Sequence, residues 1–429
     1  MKVKTIRVSN FKGIDDLEIP FEGKSSIIFG INGVGKSTIL RAIDLIYANF
    51  ISRLLSSKKK LAQLEYDDIS YGKAGARIDV VFEFSDGNLK KYSRSISRAG
   101  GRRHGLAQLK ELVDVFEEYY VEKGYDDGDG NWIENEDMKN MPVFVSYGVN
   151  RSVFDVPLRT SKKEQFTKLS AFDKAIESKI DFRTLFMWFR NQEDIENQEK
   201  VRKNKIYEDR SLLAVKKAML AMLDGFDDIH IDRKPLAMKV KKDGQYLKIN
   251  QLSDGEKCTI ALFGDLARRM TLANPALPNP LEGQGVVLID ELDLHMHTLW
   301  QRKVMQVLRK TFPNIQFIVT THSPQILGEL DESFNLFYML RKDEKIALQQ
   351  YTSFIGWDAN VILEEVMKTS SVNVEIKCLV EQMYDYISNR KYNQAEKIAD
   401  KLDEISNGYV DGVAKARILI SRGKRNEKN

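Results

Sequence analysis

The sequence predicts an α/β fold built on a parallel sheet, with a helical insertion and an all-helical C-terminal tail. Three observations predict it. Short apolar runs at 25–30, 143–147, 286–290 and 315–320 are strand-sized, and the last two alternate with helical patterns at 297–311 and 324–330, the order of a parallel sheet with helical crossovers. The stretch 161–223 is mainly helical in pattern and highly charged, and from Val361 onward the pattern is helical almost to the end.

Taken in order, residues 2–9 read as a strand with Val3, Ile6 and Val8 as its apolar positions. The run SSIIFG at 25–30 enters a glycine-rich turn and then a helical pattern from Ser37 to about Leu55. RIDVVFEF and LKKYSRSIS flank SDGN as a hairpin, because Asp86-Gly87 readily takes the positive-φ geometry of such turns. Residues 99–105 (AGGRRHG) read as a loop, and a helix follows over 106–122. The acidic stretch after it is an exposed loop; Asp126, Asp127 and Asp129 do not match the ligand spacing of a calcium loop. Further on, Phe182, Phe186, Trp188 and Phe189 form a helix packing face, 228–249 is strand-like with a turn at KDGQ, and a helix starts near Asp254. These elements divide the chain into a lobe at 1–160, a helical insertion at 161–227, a second lobe at 228–350 and a helical tail at 351–429. Within that tail, 375–406 reads as a helical hairpin, with Ile376, Leu379, Val380 and Met383 on one stripe and Ile398, Leu402 and Ile405 on the other.

A hydrophobic fraction of 42% with 30% charged residues places the chain among globular proteins and away from disordered ones. No apolar run approaches the roughly 18 residues that span a bilayer. The opening MKVKTIRVSN is charged where a signal peptide is apolar. A cytoplasmic chain without membrane contact is the expectation. Cys258 and Cys378 stand far apart, in neither a disulfide framework nor a zinc spacing. A net charge of +4 predicts no partner by itself, and the basic clusters at 58–60, at Arg102 and Arg103, and at Arg422 and Lys424 read singly as solvated surface. His295 and His297, two apart on an expected helix, point to different faces and are not read as a metal pair.

Four motifs carry chemistry. Residues 30–37, GINGVGKS, fit the phosphate-loop pattern G-x-x-x-x-G-K-[ST] between a strand and a helix. The glycines let backbone N–H groups turn around phosphate oxygens at a helix N-terminus. Asn32, Gly33, Val34, Gly35, Lys36, Ser37 and Thr38 are therefore the expected ATP contacts, with Lys36 on the β- and γ-phosphates and the Ser37 hydroxyl on Mg2+. Second, VVLI at 286–289 ends in Asp290 and Glu291. Asp290 is expected to hold Mg2+ and Glu291 to polarise the attacking water, since phosphoryl transfer needs positioning and charge control. Third, the strand 315–320 runs into Thr321-His322-Ser323-Pro324, placing His322 where it can sense a γ-phosphate. Fourth, 252–257 reads LSDGEK at a helix start. Ser253 and Gly255 form a second anion site on that helix N-terminus, of use only to the nucleotide of another protomer. The plain alternative is an N-cap by Ser253 or Asp254.

In this order the motifs resemble the soluble branch of the ABC ATPase superfamily, alongside the RecF, Rad50, SMC and OLD proteins, over about residues 1–345. The resemblance implies an ABC-type P-loop NTPase head that hydrolyses ATP with Mg2+ as a homo-oligomer, a dimer of heads or higher. The opening IRVSNFKGIDDLEIPF is typical of that branch, where such residues lie near the nucleotide, which brings in Arg7 and Lys12. No coiled coil, hook CxxC or Toprim acidic cluster is present, and no clear Q-loop glutamine beyond Gln192. The tail, with WDANVILEEVM and MYDYISNRKYNQAEKIADKLDEI, is similar to that of PtuA-like ATPases of Septu-type and retron-linked anti-phage defence. That likeness implies an HNH nuclease partner of the PtuB type. It also brings in nucleic acid (DNA or tRNA), or a retron reverse transcriptase with its msDNA. The alternative is a RecF-like repair ATPase that clamps DNA without a nuclease partner.

Overall fold

The computed structural model describes residues 1–55, 62–103, 105–120, 125–126, 132–133, 140–149, 151, 166–202, 206–369, 373–410 and 412–426. The basic cluster at 58–60 lies outside them, and so does the acidic stretch compared with a calcium loop, apart from the backbone of Tyr125–Asp126 and Trp132–Ile133. Two compact units result, Met1–Gly356 and Trp357–Asn429.

In the first unit, a six-stranded sheet runs in the order Lys345–Tyr351, Asn335–Lys342, Ser26–Gly30, Ile315–Thr321, Gly285–Ile289, Val143–Tyr147. All neighbours are parallel except the edge pair Asn335–Lys342 and Lys345–Tyr351. The strands Ser26–Gly30, Val143–Tyr147, Gly285–Ile289 and Ile315–Thr321 are buried at each residue. Burial on both faces is why they read as unbroken apolar runs instead of alternations.

A five-stranded antiparallel sheet lies alongside, in the order Ile14–Pro20, Lys2–Phe11, Gly75–Glu83, Leu89–Ser97, Gly101–Arg103. The helix Lys36–Leu54 bridges the two sheets. Its Tyr47 ring stands 4.7 Å from Phe144 of the parallel sheet and 5.6 Å from Phe82 of the antiparallel one. Gln316 fastens the sheets directly: its amide oxygen accepts from Val3 N at 2.8 Å, and its Nε2 donates to the carbonyls of Val3 (2.9 Å) and Lys24 (3.1 Å).

Several elements differ from expectation. Gly101–Arg103 is an edge strand and not part of a loop, because Arg102 donates to the Leu64 carbonyl and to Glu65, each at 2.7 Å, and fixes a segment that its glycines mark as free. The region 228–249 makes three strands, Phe226–Arg233, Leu236–Lys242 and Gln245–Lys248, since a second reversal at 234–235 precedes the one at Asp243 and Gly244. The strands Ile14–Pro20, Asn335–Lys342 and Lys345–Tyr351 carry no separate reading in the sequence.

The helices Phe182–Arg202 and Arg210–Leu220 pack on the buried helix Asp254–Ala273, where Leu185 and Met219 close on Gly264. Phe182, Phe186, Trp188 and Phe189 are all buried, the packing face their spacing predicts. At the centre of the long helix, Asp265 is fully buried with Arg268 at 2.7 Å, Arg269 at 2.8 Å and the Tyr147 hydroxyl at 2.9 Å. The paired guanidinium groups hold its carboxyl far below the usual carboxylate range, against the opposing effect of burial.

The second unit contains the helices Val374–Ser388, Tyr392–Ser406 and Val413–Asn426. The hairpin expected at 375–406 is thus joined by a third helix. Its Val413, Ala416 and Ile420 close a core with Met383, Ala395, Ala399 and Leu402, while Ile405, expected on the stripe, is 55% exposed. A two-helix hairpin cannot bury both of its stripes, and the third helix supplies the missing face. Among the described residues, no helix is long and apolar enough to cross a membrane.

Candidate active site

A pocket of about 270 Å³ opens where the phosphate loop leaves its strand. The loop turns because Gly33 and Gly35 take positive φ, 78° and 93°, a region glycine enters without steric cost. Gly30 answers to a different constraint. A β-carbon there would stand 2.2 Å from the Met339 carbonyl, so the neighbouring strand admits no side chain. Asn32, Gly33, Gly35, Lys36, Ser37 and Thr38 line the pocket. Val34 turns away and is buried.

Lys36 is buried, and its Nζ donates to the carbonyls of Gly30 and Ile31, each at 3.0 Å. Burial lowers its pKa to about 8, partly opposed by Asp290, Glu291 and Asp293. The Ser37 hydroxyl donates to Asp290 Oδ1 at 3.0 Å, joining the loop to the end of the strand Gly285–Ile289. Thr320 then locks the acids in place. Its hydroxyl donates to Asp290 Oδ1 at 2.5 Å and accepts from the Glu291 amide at 2.8 Å.

Glu291 lines the pocket and sits at φ 48°, a left-handed conformation that a non-glycine residue holds only where its surroundings impose it. Arg151 adds to that constraint by donating from Nη2 to the Glu291 carbonyl. Asp293 Oδ1 accepts from the Thr321 hydroxyl at 2.6 Å and from the His322 amide at 3.2 Å, setting His322 at the pocket wall. Burial, and then the Lys36 charge, push the His322 pKa below its ordinary value. Behind the acids, burial pushes the Asp44 carboxyl up to about 7, and the Ser146 hydroxyl donates to it at 3.1 Å.

The residues read from the opening segment part company. Lys12 lines the pocket, with its Nζ 3.3 Å from Asp68 Oδ1. Arg7 does not line it: the guanidinium is held by Asp16 at 2.8 and 3.1 Å on an exposed surface. Ser253 and Gly255 are also away from the pocket. Ser253 is the N-cap of the helix Asp254–Ala273 and forms a capping box with Glu256, so the plain N-cap geometry is present on an exposed helix start. Gln192 lies on the helix Phe182–Arg202 and does not reach the pocket. His297 is not within a helix but caps one, accepting from the Leu299 amide at 3.3 Å. Gly13, of the opening segment, and Arg341 and Ile346 complete the pocket wall, and the last two had no motif to announce them.

An oxygen-only donor set, the Ser37 hydroxyl against the Asp290 carboxylate, fits a hard divalent cation. Among the described residues no group of three or more His, Cys, Asp or Glu side chains gathers as metal ligands. Mg2+ binds through one or two carboxylates plus substrate phosphates and waters and needs no all-protein cage.

A parallel sheet carrying a phosphate loop, with paired acids and a histidine on the adjacent strand ends, defines an ATPase of the ABC-type P-loop class. The family described as "AAA domain, putative AbiEii toxin, Type IV TA system" matches residues 25–328, and the chain belongs to it. It is 28% identical to "Retron Ec83 probable ATPase" of Escherichia coli, over 94% of this chain and 84% of that protein. It is 29% identical to "Retron Vc95 probable ATPase" of Vibrio cholerae serotype O1 biovar El Tor, over 78% of this chain and 75% of that protein. With "Septu protein PtuA" of Bacillus mycoides it shares 26% identity over 94% of this chain and 50% of that protein.

Proposed function

We propose that this chain is the ATP-hydrolysing regulatory subunit of an anti-phage defence system, closing head to head with a second copy around ATP and controlling an HNH-type nuclease partner. The observation that carries the reading is a division of labour within one protomer. The loop, the acids and His322 share one pocket, while Ser253 and Gly255 stand on an exposed helix start outside it. A helix N-terminus with a solvent-exposed serine suits a phosphate supplied by another molecule.

In this reading Lys36 and the loop amides hold the β- and γ-phosphates, and Lys12 adds positive charge at the mouth. Ser37 and Asp290 would hold Mg2+, which supplies charge neutralisation of the phosphates when bound. Glu291, fixed at its amide by Thr320 and at its carbonyl by Arg151, orients the attacking water and accepts its proton. His322 donates a hydrogen bond to the terminal phosphate. Arg7 is not needed. The segment 351–429 serves the partner or the oligomer, with the lobes at 1–160 and 228–350 and the insertion at 161–227 forming the ATPase proper.

The decisive experiment mixes two variants. Ser253→Arg places a bulky cation where the second copy's γ-phosphate docks, and Lys36→Ala removes the loop cation. Each alone should be inactive in phosphate release, and the mixture should recover part of the wild-type rate, because a mixed pair contains one site with both good halves. No recovery at any ratio, with mixed assemblies confirmed, would count against head-to-head closure.

A further inference from the structure

We infer that Arg341 and Ile346 form the base end of the nucleotide pocket, holding a nucleoside triphosphate by the face of its base. The inference rests on the reading of Glu291 and His322 as the terminal-phosphate end. The phosphate loop leaves the strand Ser26–Gly30, which lies in the middle of the sheet. Glu291 and His322 follow the strands Gly285–Ile289 and Ile315–Thr321, both on one side of it. Arg341 and Ile346 belong to Asn335–Lys342 and Lys345–Tyr351, both on the other side. A triphosphate laid along the loop with its terminal phosphate at the acids must send its nucleoside toward that second side.

The local geometry agrees. Arg341 and Ile346 are directly paired across their hairpin and therefore share a face of the sheet. Met339, two residues earlier and on that same face, pairs with Gly30 at the start of the loop. Ile346 reaches the loop itself: a β-carbon at Gly35 would lie 3.6 Å from its Cδ1 and 3.4 Å from Ile14 Cδ1. Both Arg341 and Ile346 line the pocket, and among the described residues the Arg341 guanidinium has no ion pair or hydrogen bond. A planar guanidinium stacks on a nucleobase, and a branched aliphatic side chain beside it covers the base or ribose. Recognition of this kind reads a face common to all bases and carries little information from the base edge.

The test titrates the full chain, in the presence of Mg2+, with ATP and with inorganic tripolyphosphate, which has the phosphates and no nucleoside. Wild-type protein should bind ATP more tightly than tripolyphosphate. Arg341→Ala should weaken ATP roughly tenfold, the loss expected of one base stack, and leave tripolyphosphate unchanged. Arg341→Lys, which keeps the charge and loses the plane, should behave as Arg341→Ala does. Unchanged ATP affinity in Arg341→Ala, equal weakening of both ligands, or full ATP affinity in Arg341→Lys would each overturn the assignment. Wild-type protein that binds neither ligand would remove the nucleotide pocket itself and this inference with it. Binding of both ligands with no effect of Arg341→Ala removes the base end alone.

Discussion

Glu291 combines an acidic side chain at the pocket wall with a backbone held at φ 48° by Thr320 and Arg151. The conformation is imposed from the strand side and does not depend on the carboxylate, so the amide isostere should fold in the same place. Glu291→Gln is expected to bind ATP as the wild type does and to release phosphate at least about a hundredfold more slowly, as loss of a general base entails. Nucleotide titration and single-turnover phosphate release check it, and near-normal turnover would take Glu291 out of the role. The residues of this region were legible in the sequence for a physical reason. A phosphate loop and an acid pair are contiguous stretches whose chemistry is local, so their spacing alone announces them. Arg341, Ile346 and Arg151 were not legible, because they reach the site only through the order of strands in the sheet and through contacts distant in sequence. Arg7 shows the converse: the neighbouring strand carries Asp16 diagonally across from it, opposite Ser9, and the ion pair decides where that guanidinium points.

At the scale of the element, the helix Asp254–Ala273 is unusual in burying a charged cluster at its middle. Asp265, Arg268 and Arg269 are each at most 1% exposed. One carboxylate answers two guanidinium groups, with Arg269 also donating to the Ala171 carbonyl at 2.6 Å and to the Asp173 carbonyl at 3.0 Å. Removing the carboxylate leaves two buried cations without their counter-charge. Asp265→Ala is therefore expected to destabilise the Met1–Gly356 unit by about 3–5 kcal/mol, read as a lower urea midpoint. A change below about 1 kcal/mol would mean that water reaches the cluster and screens it. The helix pattern made the element itself predictable, and the capping box of Ser253 and Glu256 set its start. Its internal ion cluster carries no reading in the sequence, since Arg269 is fixed by the carbonyls of Ala171 and Asp173, nearly a hundred residues earlier in the chain. The edge strand Gly101–Arg103 failed expectation for a related reason: glycine marks freedom, and the Arg102 anchor removes it.

For the whole molecule, two units each carry a core of their own. The chain ending at Gly356 retains every residue of the nucleotide pocket. It is expected to bind ATP as the full chain does and to lose its hold on the proposed nuclease partner, with co-purification of the two forms as the check. A partner retained by the shortened, folded ATPase would move the docking surface into Met1–Gly356. A last consequence concerns sequence drift. A β-carbon at Gly255 would stand 2.4 Å from the carbonyl of His295, in the loop that follows Glu291. Two stretches that look like separate words in the sequence are thus spelled jointly. No lineage can replace that glycine before the backbone at His295 has shifted. The segment 252–257 and the loop at 291–297 must wander together or stay where they are.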